Sequence, residues 1–316
     1  MSIVDLLNNH SKTAFSFEIL PPLKGNNFSK VCVIIDKLRE FEPKYINITT
    51  HHSEIIYKET KGLLKKINIR KRPGTVAIAA AIQHTYSIPA VPHIICKGFT
   101  RDETEYALID LQYLGLTDLL LLRGDSNKLE RDQVDPTKCH EHTTDLIEQV
   151  NRFNEGVDLE GNVFEKPKRP FSFGVACYPE KHEEAPNMDS DIAFLKQKID
   201  MGAKYAVTQM FFDNRKYFEF VERCQKEGIA VPIIPGIKPI VFLDQLTALP
   251  RVFRTEIPEV LAQELRKCKT DDEVKQVGVE WSIEQCKKLK NAGVPSLHFY
   301  TLMATDSVRK IAKEIF

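Results

Sequence analysis

The chain has 316 residues, of which 42% are hydrophobic and 28% are charged, so it can bury a core of ordinary size. Its 44 basic and 44 acidic residues balance, which argues against a nucleic-acid or anionic-membrane partner. No basic region followed by an apolar run opens the chain, and no apolar segment approaches the roughly 20 residues that span a bilayer. Composition therefore predicts a cytoplasmic globular protein.

Short β-rich runs alternate with helical stretches along the whole chain. The runs cover residues 15–20, 45–50, 90–96, 118–123, 171–177, 204–210, 231–237 and 296–302. Each run is apolar and bounded by turn residues, as expected for a strand buried on both faces. Glycines such as Gly115 and Gly202 close helices shortly before the next run. Eight such units predict a single α/β domain over residues 1–316, a (β/α)8 TIM barrel.

An open doubly wound sheet is the alternative to the barrel. Such a sheet normally carries a G-x-G-x-x-G turn after its first strand, whereas this strand ends in Pro21-Pro22. Residues 157–170 are polar and rich in turn residues, which indicates a surface insertion. Residues 251–278 are expected to add helical turns before the eighth unit.

The helix after the third run has a clear start signal. Thr100 and Glu103 have the spacing of a capping box, in which each side chain bonds the other residue's backbone N–H. The helical period then places Leu108, Leu111 and Leu114 on the inner face.

Glu18 is a carboxylate near the end of an otherwise apolar strand. Alternation places Ser16, Glu18 and Leu20 on one side of that strand, which we expect to face the barrel interior. Apolar surroundings favour the neutral form of a carboxyl group, as a general acid requires. The alternative is a glutamate paired with a neighbouring Arg or Lys.

Other polar groups follow later strands, where barrel enzymes place their chemistry. Arg-Gly-Asp at residues 123–125 ends the fourth run and would suit either a ligand site or a loop salt bridge. Gln209 can donate and accept hydrogen bonds to a heterocycle, and the aromatic pair at 211–212 could flank it or simply pack in the core. Asp191 and Lys198 share one helix face, which could equally be solvated.

Histidine and cysteine patterns predict neither a metal site nor a redox centre. The close histidine pairs at 51–52 and 140–142 lack a third ligand at a recognised spacing. The seven cysteines include no C-x-x-C pair and mostly lie in apolar runs, which indicates reduced, buried thiols.

Six strings in order resemble the signature segments of methylenetetrahydrofolate reductases. They are Phe-Ser-Phe-Glu-Ile-Leu-Pro-Pro at 15–22, Leu-Arg-Gly-Asp at 122–125, Cys-Tyr-Pro-Glu-Lys-His at 177–182, Thr-Gln-Met-Phe-Phe-Asp at 208–213, Ile-Pro-Gly-Ile at 234–237 and His-Phe-Tyr-Thr-Leu at 298–302. The strings extend over nearly the whole chain, so the resemblance is specific although each string alone is weak.

The resemblance implies an FAD-carrying barrel that works by a ping-pong route. NADH or NADPH reduces the flavin and leaves, and 5,10-methylenetetrahydrofolate then takes the hydride to become 5-methyltetrahydrofolate. This reaction belongs to one-carbon metabolism and supplies methionine biosynthesis. Glu18 matches the glutamate that protonates the folate and opens its five-membered ring. Asp125 matches the aspartate near flavin and pterin, and Gln209 the glutamine that contacts folate and nicotinamide in turn.

The resemblance also implies a set of binding residues. For FAD the matching positions are Thr49, Thr50, His52, His93, Arg123, Gly124, Asp125, Thr143, Tyr178, His182, Ala185, Asp191 and Lys198. For the substrate they are Glu18, Asp125, Gln209, Gln245 and Tyr300. Arg123 and Lys198 would oppose the diphosphate, and Asp191 would accept from ribose hydroxyls.

Three departures from the bacterial pattern stand out. Ala304 occupies the place of an arginine that contacts folate, and Phe194 and Gln197 stand where some relatives have Asn and Arg beside the FAD. The insertion at 157–170 is longer than in short bacterial relatives. The chain ends soon after the eighth unit, so we expect no C-terminal regulatory domain. Bacterial relatives tend to form homo-oligomers, and the choice between NADH and NADPH stays open.

Two competing functions follow from the same sequence. A folate- or flavin-binding protein without catalysis would have little need for Glu18. A barrel lyase or aldolase would hold a metal or a Schiff-base lysine at a strand end, and we expect no suitable lysine there.

Overall fold

Strands and helices alternate in the computed structural model, which describes residues 2–8, 12–51, 54–60, 62–124, 135–302 and 304–316. In these ranges the strands are β1 (Ala14–Ile19), β2 (Tyr45–Ile48), β3 (Glu54–Thr60), β4 (Leu63–Ile69), β5 (Ala90–Ile95), β6 (Asp118–Leu122), β7 (Ser172–Cys177), β8 (Tyr205–Thr208), β9 (Ile233–Ile234), β10 (Gly236–Ile237) and β11 (Ser296–Tyr300). The α-helices are α1 (Ile3–Asn8), α2 (Ser29–Leu38), α3 (Thr75–Tyr86), α4 (Arg101–Tyr113), α5 (Thr143–Asn154), α6 (Met188–Asp200), α7 (Asn214–Lys226), α8 (Gln245–Phe253), α9 (Glu259–Lys267), α10 (Asp271–Asn291) and α11 (Thr305–Ile315). Each of the eight predicted runs contains a strand.

Within the described ranges, nine strands form one sheet in the order β10-β11-β1-β2-β5-β6-β7-β8-β9. Only Pro235 separates β9 from β10, and proline interrupts a strand because it has no backbone N–H to donate. β9 pairs in parallel with β8, and β10 pairs in parallel with β11, so the two form one strand position that joins both ends of the order. Eight strand positions with intervening helices confirm the predicted (β/α)8 barrel.

The chain divides into two compact units. The first comprises residues 1–19, 32–46 and 174–316, and the second comprises residues 20–31 and 47–173. The single domain over residues 1–316 remains a prediction, because this division into units does not test it.

In the first unit, the buried strand β1 alternates large apolar residues with polar ones, and the two sets point to opposite faces. Phe15 packs its ring 5.5 Å from that of Phe299 and 5.3 Å from that of Phe316, which follows α11. Ser16 and Glu18 point to the opposite face, where Ser16 Oγ meets side chains of β11. The predicted alternation is therefore confirmed for these residues.

In the second unit, α4 begins at the predicted capping box. Thr100 Oγ1 accepts from Glu103 N at 3.1 Å, and the Glu103 carboxylate accepts from Thr100 N at 2.9 Å. Leu108 and Leu111 are fully buried, as predicted. The prediction for Leu114 is wrong: it is 43% exposed because the helix ends one residue earlier.

The two irregular regions also agree with expectation. In the insertion at 157–170, a single bridge between Val157 and Val163 replaces regular structure. The extra turns before the eighth unit are α8, α9 and the first part of α10.

The antiparallel hairpin of β3 and β4 was not predicted. Its sequence signal is the Lys61-Gly62 dipeptide between two runs of strand formers. Tyr57, Leu63 and Leu64 are more than 60% exposed there, so the hairpin lacks the two-sided burial that marked the other strands.

Candidate active site

A neutral polar layer fills the inner face of the first unit. Ser16 Oγ lies 3.0 Å from His298 Nδ1 and 3.2 Å from Ser296 Oγ. The His298 ring stacks on Tyr45 with 6.3 Å between centroids, and burial lowers the pKa of His298 to about 3. His298 is therefore neutral at physiological pH, and this layer carries hydrogen bonds without a charge.

The next layer toward the carboxyl ends of the strands carries charge. β1 and β11 are in register with Glu18 opposite Tyr300, and β10 and β11 are in register with Ile237 opposite Phe299. Lys238 is the next residue after Ile237, where β10 ends. Glu18 and Lys238 are only 8% and 6% exposed.

The expectation that no suitable lysine ends a predicted strand is wrong, because Lys238 directly follows β10 and is buried. Burial lowers the pKa of Lys238 to about 8, and the nearby charge of Glu18 acts in the opposite direction. The signal in the sequence is a lysine directly after an apolar run.

Tyr300 lies across Gly236 and reaches β8. Its hydroxyl donates to the Thr208 carbonyl at 2.6 Å, while Gly236 N donates to Thr208 Oγ1 at 2.9 Å. A Cβ at Gly236 would lie 2.6 Å from Tyr300 Cε2, so only glycine leaves room for this ring. Burial raises the pKa of Tyr300 well above its usual value, and the neighbouring charge of Glu18 raises it further.

Gln209 presents one end of its amide. Its backbone N donates to Cys177 O at 2.8 Å, and its side-chain Oε1 accepts from Met210 N at 2.9 Å. Because the oxygen is held by the backbone, the NH2 group is the end that a ligand would meet.

Gln245 accepts hydrogen bonds from the loop that follows Lys238. Its Oε1 accepts from Val241 N at 2.7 Å and from Phe242 N at 3.2 Å. Gly278 of α10 approaches the same loop so closely that a Cβ there would lie 2.0 Å from Ile240 O. These contacts fix the segment after β10.

The loop between β7 and α6 gathers most of the remaining predicted residues of the first unit. His182 N donates to Asp191 Oδ2 at 2.8 Å, and the Tyr178 and His182 rings meet edge to face at 4.7 Å. Lys181, which the sequence reasoning did not select, donates to the carbonyls of His182 and Ala185 at 2.8 and 2.6 Å. Lys181 therefore folds this loop back on itself.

Asp191 and Lys198 form a half-buried charge pair on α6. Burial raises the pKa of Asp191 and lowers that of Lys198, and the attraction between the two opposes both shifts. Lys198 Nζ also lies 3.4 Å from Ala176 O. The pair faces the end of β7, beside the loop that holds His182.

The second unit contains buried polar atoms at the end of β2. Thr50 Oγ1 donates to the His93 carbonyl. Thr49 Oγ1 and both amide atoms of Asn47 are buried, and each has no hydrogen-bond partner within the described residues. Since buried polar groups are normally satisfied, these atoms fit a bound molecule with polar edges.

Three further predicted residues of the second unit follow later strands. Arg123 and Gly124 come directly after β6, and Gly124 has a φ of +85°. Thr143 is the first residue of α5. His52 and Asp125 lie outside the described residues.

A cavity of about 580 Å³ in the second unit includes Thr50 and His93 in its lining. Arg70 and Arg72 also line it, and neither was selected from the sequence. Arg72 donates to the Pro21 carbonyl, and Arg70 lies 3.4 Å from Glu103. Glu103 and Asp110 line the same cavity, so its two guanidinium groups stand beside two carboxylates.

The strand order defines a parallel α/β-barrel protein with polar residues at the carboxyl ends of several strands. The family model for methylenetetrahydrofolate reductase matches residues 3–315. The chain therefore belongs to the methylenetetrahydrofolate reductase family, which confirms the resemblance.

Curated relatives agree with this assignment. The chain is 29% identical over 314 residues to a probable methylenetetrahydrofolate reductase (NADPH) of Caenorhabditis elegans, with 99% of this chain and 43% of the relative covered. It is 30% identical to methylenetetrahydrofolate reductase (NADH) 1 of Arabidopsis thaliana, with 97% and 49% covered. It is also 30% identical to the Escherichia coli 5,10-methylenetetrahydrofolate reductase, with 91% and 85% covered. The chain thus spans less than half of the worm and plant relatives.

Solved structures support the fold alone. An uncharacterized protein from Clostridium thermocellum, described as binding two copies of 5-methyl-5,6,7,8-tetrahydrofolic acid, has a TM-score of 0.58 at 16% identity over 98% of this chain and 97% of its own. An F420-dependent secondary alcohol dehydrogenase reaches 0.54 at 12% identity, with 96% and 98% covered. None of the helices in the described ranges combines the length and apolar character of a bilayer-spanning segment.

Proposed function

We propose that this chain reduces 5,10-methylenetetrahydrofolate to 5-methyltetrahydrofolate, using FAD and either NADH or NADPH in ping-pong order. The observation that carries the proposal is the buried Glu18 at the end of the first barrel strand of a family member. Bound FAD would accept a hydride from the nicotinamide and pass it to the folate. The reaction would serve one-carbon metabolism and methionine supply in the cytoplasm.

Glu18 would supply the proton that opens the folate ring. The amine nitrogen that leaves the methylene carbon needs a proton, and Glu18 is buried at the strand end where such a group would act. Gln209 would donate from its NH2 group to a carbonyl of the pterin or the nicotinamide amide. Asp125 would stabilise positive charge on the opened folate. Gln245 and Tyr300 would line the folate site mainly by shape, since Gln245 Oε1 and the Tyr300 hydroxyl already bond the backbone.

The predicted FAD residues would act in two groups. In the second unit, Thr49 and Thr50 offer hydroxyls at the end of β2, and the buried polar atoms there fit a ligand with polar edges. The other predicted FAD contacts of this group are His52, His93, Arg123, Gly124, Asp125 and Thr143. In the first unit they are Tyr178, His182, Ala185, Asp191 and Lys198.

The test separates the two half-reactions. Purified protein loaded with FAD should be yellow, should bleach with NADH or NADPH without oxygen, and should regain colour with methylenetetrahydrofolate. Glu18→Gln should bleach at the wild-type rate but regain colour about 100-fold more slowly, since general acids contribute that order of rate. Glu42→Gln, at an 84% exposed side chain, is the matched control and should match wild type in both steps.

Two results would overturn the proposal. Protein that takes up no FAD would exclude a flavoenzyme. Equal loss of both half-reactions in Glu18→Gln would remove the general-acid role, because only the folate step needs this proton.

A further inference from the structure

The direction of the Gln209 amide depends on the backbone of Met210. Met210 N donates to Gln209 Oε1 at 2.9 Å, so the oxygen end of the amide is tied to the next residue of the chain. The backbone of Gln209 is fixed separately, because its N donates to Cys177 O at 2.8 Å. A rotation of the Met210 backbone would therefore release the Gln209 oxygen and let the amide turn over.

The carbonyl of Met210 is held by Thr255, which lies just after the end of α8. Thr255 Oγ1 is 3.0 Å from Met210 O, and Thr255 is only 3% exposed. Side chains of α10 hold the next two carbonyls of the same segment: Gln285 Nε2 bonds Phe211 O at 2.8 Å, and Trp281 Nε1 bonds Phe212 O at 3.0 Å. Thr255 thus holds the carbonyl of the residue that orients Gln209.

Thr255 is itself fixed by the loop after β7. Its Oγ1 lies 2.8 Å from Glu180 Oε2, which also accepts from Glu256 N at 3.0 Å. Thr255 has one hydroxyl proton, which the Glu180 carboxylate and the Met210 carbonyl share. The second bond, from Glu256 N, keeps the segment in place beside the carboxylate. The residues after α8 therefore connect the loop after β7 to the backbone beside Gln209.

The contact between Thr255 and Met210 is shielded from solvent. Met210 belongs to an apolar cluster with Leu249 and Leu261, and Met210 and Thr255 are both buried. Water therefore has little access to the Met210 carbonyl and cannot readily replace the hydroxyl. Loss of the hydroxyl would leave a buried acceptor with a weakened set of partners, which favours a turn of the backbone toward other donors.

We propose that Thr255 is a positioning residue for Gln209: by holding the Met210 carbonyl, it keeps the Met210 N–H on Gln209 Oε1 and the Gln209 NH2 group toward the ligand. This inference rests on the proposed function, because the ligand is the folate or the nicotinamide of that reaction. Thr255 takes part in no bond that forms or breaks. Its effect on the reaction passes through Met210 and Gln209.

The first test measures the folate half-reaction of FAD-loaded protein without oxygen. In Thr255→Val, the methylenetetrahydrofolate concentration that gives half the maximal rate of flavin reoxidation should rise about fivefold, the effect of one misplaced hydrogen bond. Thr255→Ser keeps the hydroxyl and should restore the wild-type value. In a Gln209→Ala background, Thr255→Val should add no further rise, because both substitutions remove the same contact with the ligand.

Thr13→Val is the matched control. Thr13 Oγ1 donates to the Val294 carbonyl at 2.9 Å, a bond of the same kind, but it lies just before β1 at the amino end of that strand. Thr13→Val should therefore leave the half-saturating folate concentration at its wild-type value. The positioning role would be overturned by no rise in Thr255→Val, by an equal rise in Thr13→Val, or by a rise that persists in the Gln209→Ala background.

The second test does not depend on turnover. In protein labelled with ¹⁵N-methionine, the bond to Gln209 Oε1 should protect the Met210 amide from hydrogen exchange. Thr255→Val should speed that exchange about tenfold, whereas Thr255→Ser and Thr13→Val should leave it unchanged. Unchanged exchange in Thr255→Val would overturn the inference. Wild-type protein whose Met210 exchange depends on Thr255, but whose flavin is never reoxidised by methylenetetrahydrofolate, would instead refute the proposed function and leave the positioning of Gln209 intact.

Discussion

Substitution of Gly236 by alanine tests how Tyr300 is held in place. The added Cβ would lie 2.4 Å from the Thr208 carbonyl oxygen and 2.6 Å from Tyr300 Cε2, both far inside contact distance. Overpacking of this kind costs about 1–3 kcal/mol. If the Tyr300 ring moves away, its 2.6 Å hydrogen bond to Thr208 is lost as well, at about 1 kcal/mol. We therefore expect Gly236→Ala to lower the free energy of unfolding by about 3 kcal/mol.

Urea unfolding followed by circular dichroism measures this loss, with Gly74→Ala as the matched control. Gly74 has open space around its Cβ position and a φ of −67°, so alanine there should cost less than about 1 kcal/mol. If Gly236→Ala is no less stable than Gly74→Ala, the tight packing of Tyr300 over Gly236 is refuted.

Two further predictions concern other titratable groups. Burial lowers the pKa of Lys238 from 10.5 to about 8, so between these pH values the unfolded chain binds the additional proton. Wild type should therefore gain stability over Lys238→Met as the pH rises from 8 to 10.5, by about 3 kcal/mol in urea titrations, and a difference that is constant with pH would contradict this. Burial also raises the pKa of the Cys96 thiol to about 12, so iodoacetamide at pH 8 should label the half-buried Cys32 first and reach Cys96 and Cys286 only after unfolding. Peptide mass spectrometry checks this, and early labelling of Cys286 would show that it is not buried.

The barrel could be predicted because its strands are buried on both faces and therefore stand out as short apolar runs. The same alternation placed Ser16 and Glu18 on the inner face, and the contacts of Ser16 with β11 confirm this for Ser16. The hairpin of β3 and β4 has exposed apolar residues on a two-stranded sheet, so the burial rule that found the other strands did not apply to it. Leu114 was misplaced because helical periodicity says nothing about where the helix ends.

The site could be predicted only in part. Glu18, Gln209 and Lys238 each end or follow an apolar run. The residues around them in the sequence do not indicate which of them lies near an opposite charge. The environment of Lys238 depends on the register that brings β1, β11 and β10 side by side, and this register joins segments far apart in the chain. The roles of Lys181 and Gln245 in holding loops depend equally on backbone groups whose directions the sequence does not give.

The neutral layer below Glu18 determines how strongly Glu18 and Lys238 affect each other. Ser16 bonds Ser296 and His298 Nδ1, and the layer brings no charge, so it does not screen Glu18 and Lys238 as solvent would. Two unit charges attract about four times more strongly at an effective dielectric constant of 20 than in water. A charged group placed in this layer would add a further Coulombic interaction with Glu18, whereas a neutral one adds none. The neutral His298 therefore adds no charge that would weaken the effect of Glu18 on the pKa of Lys238.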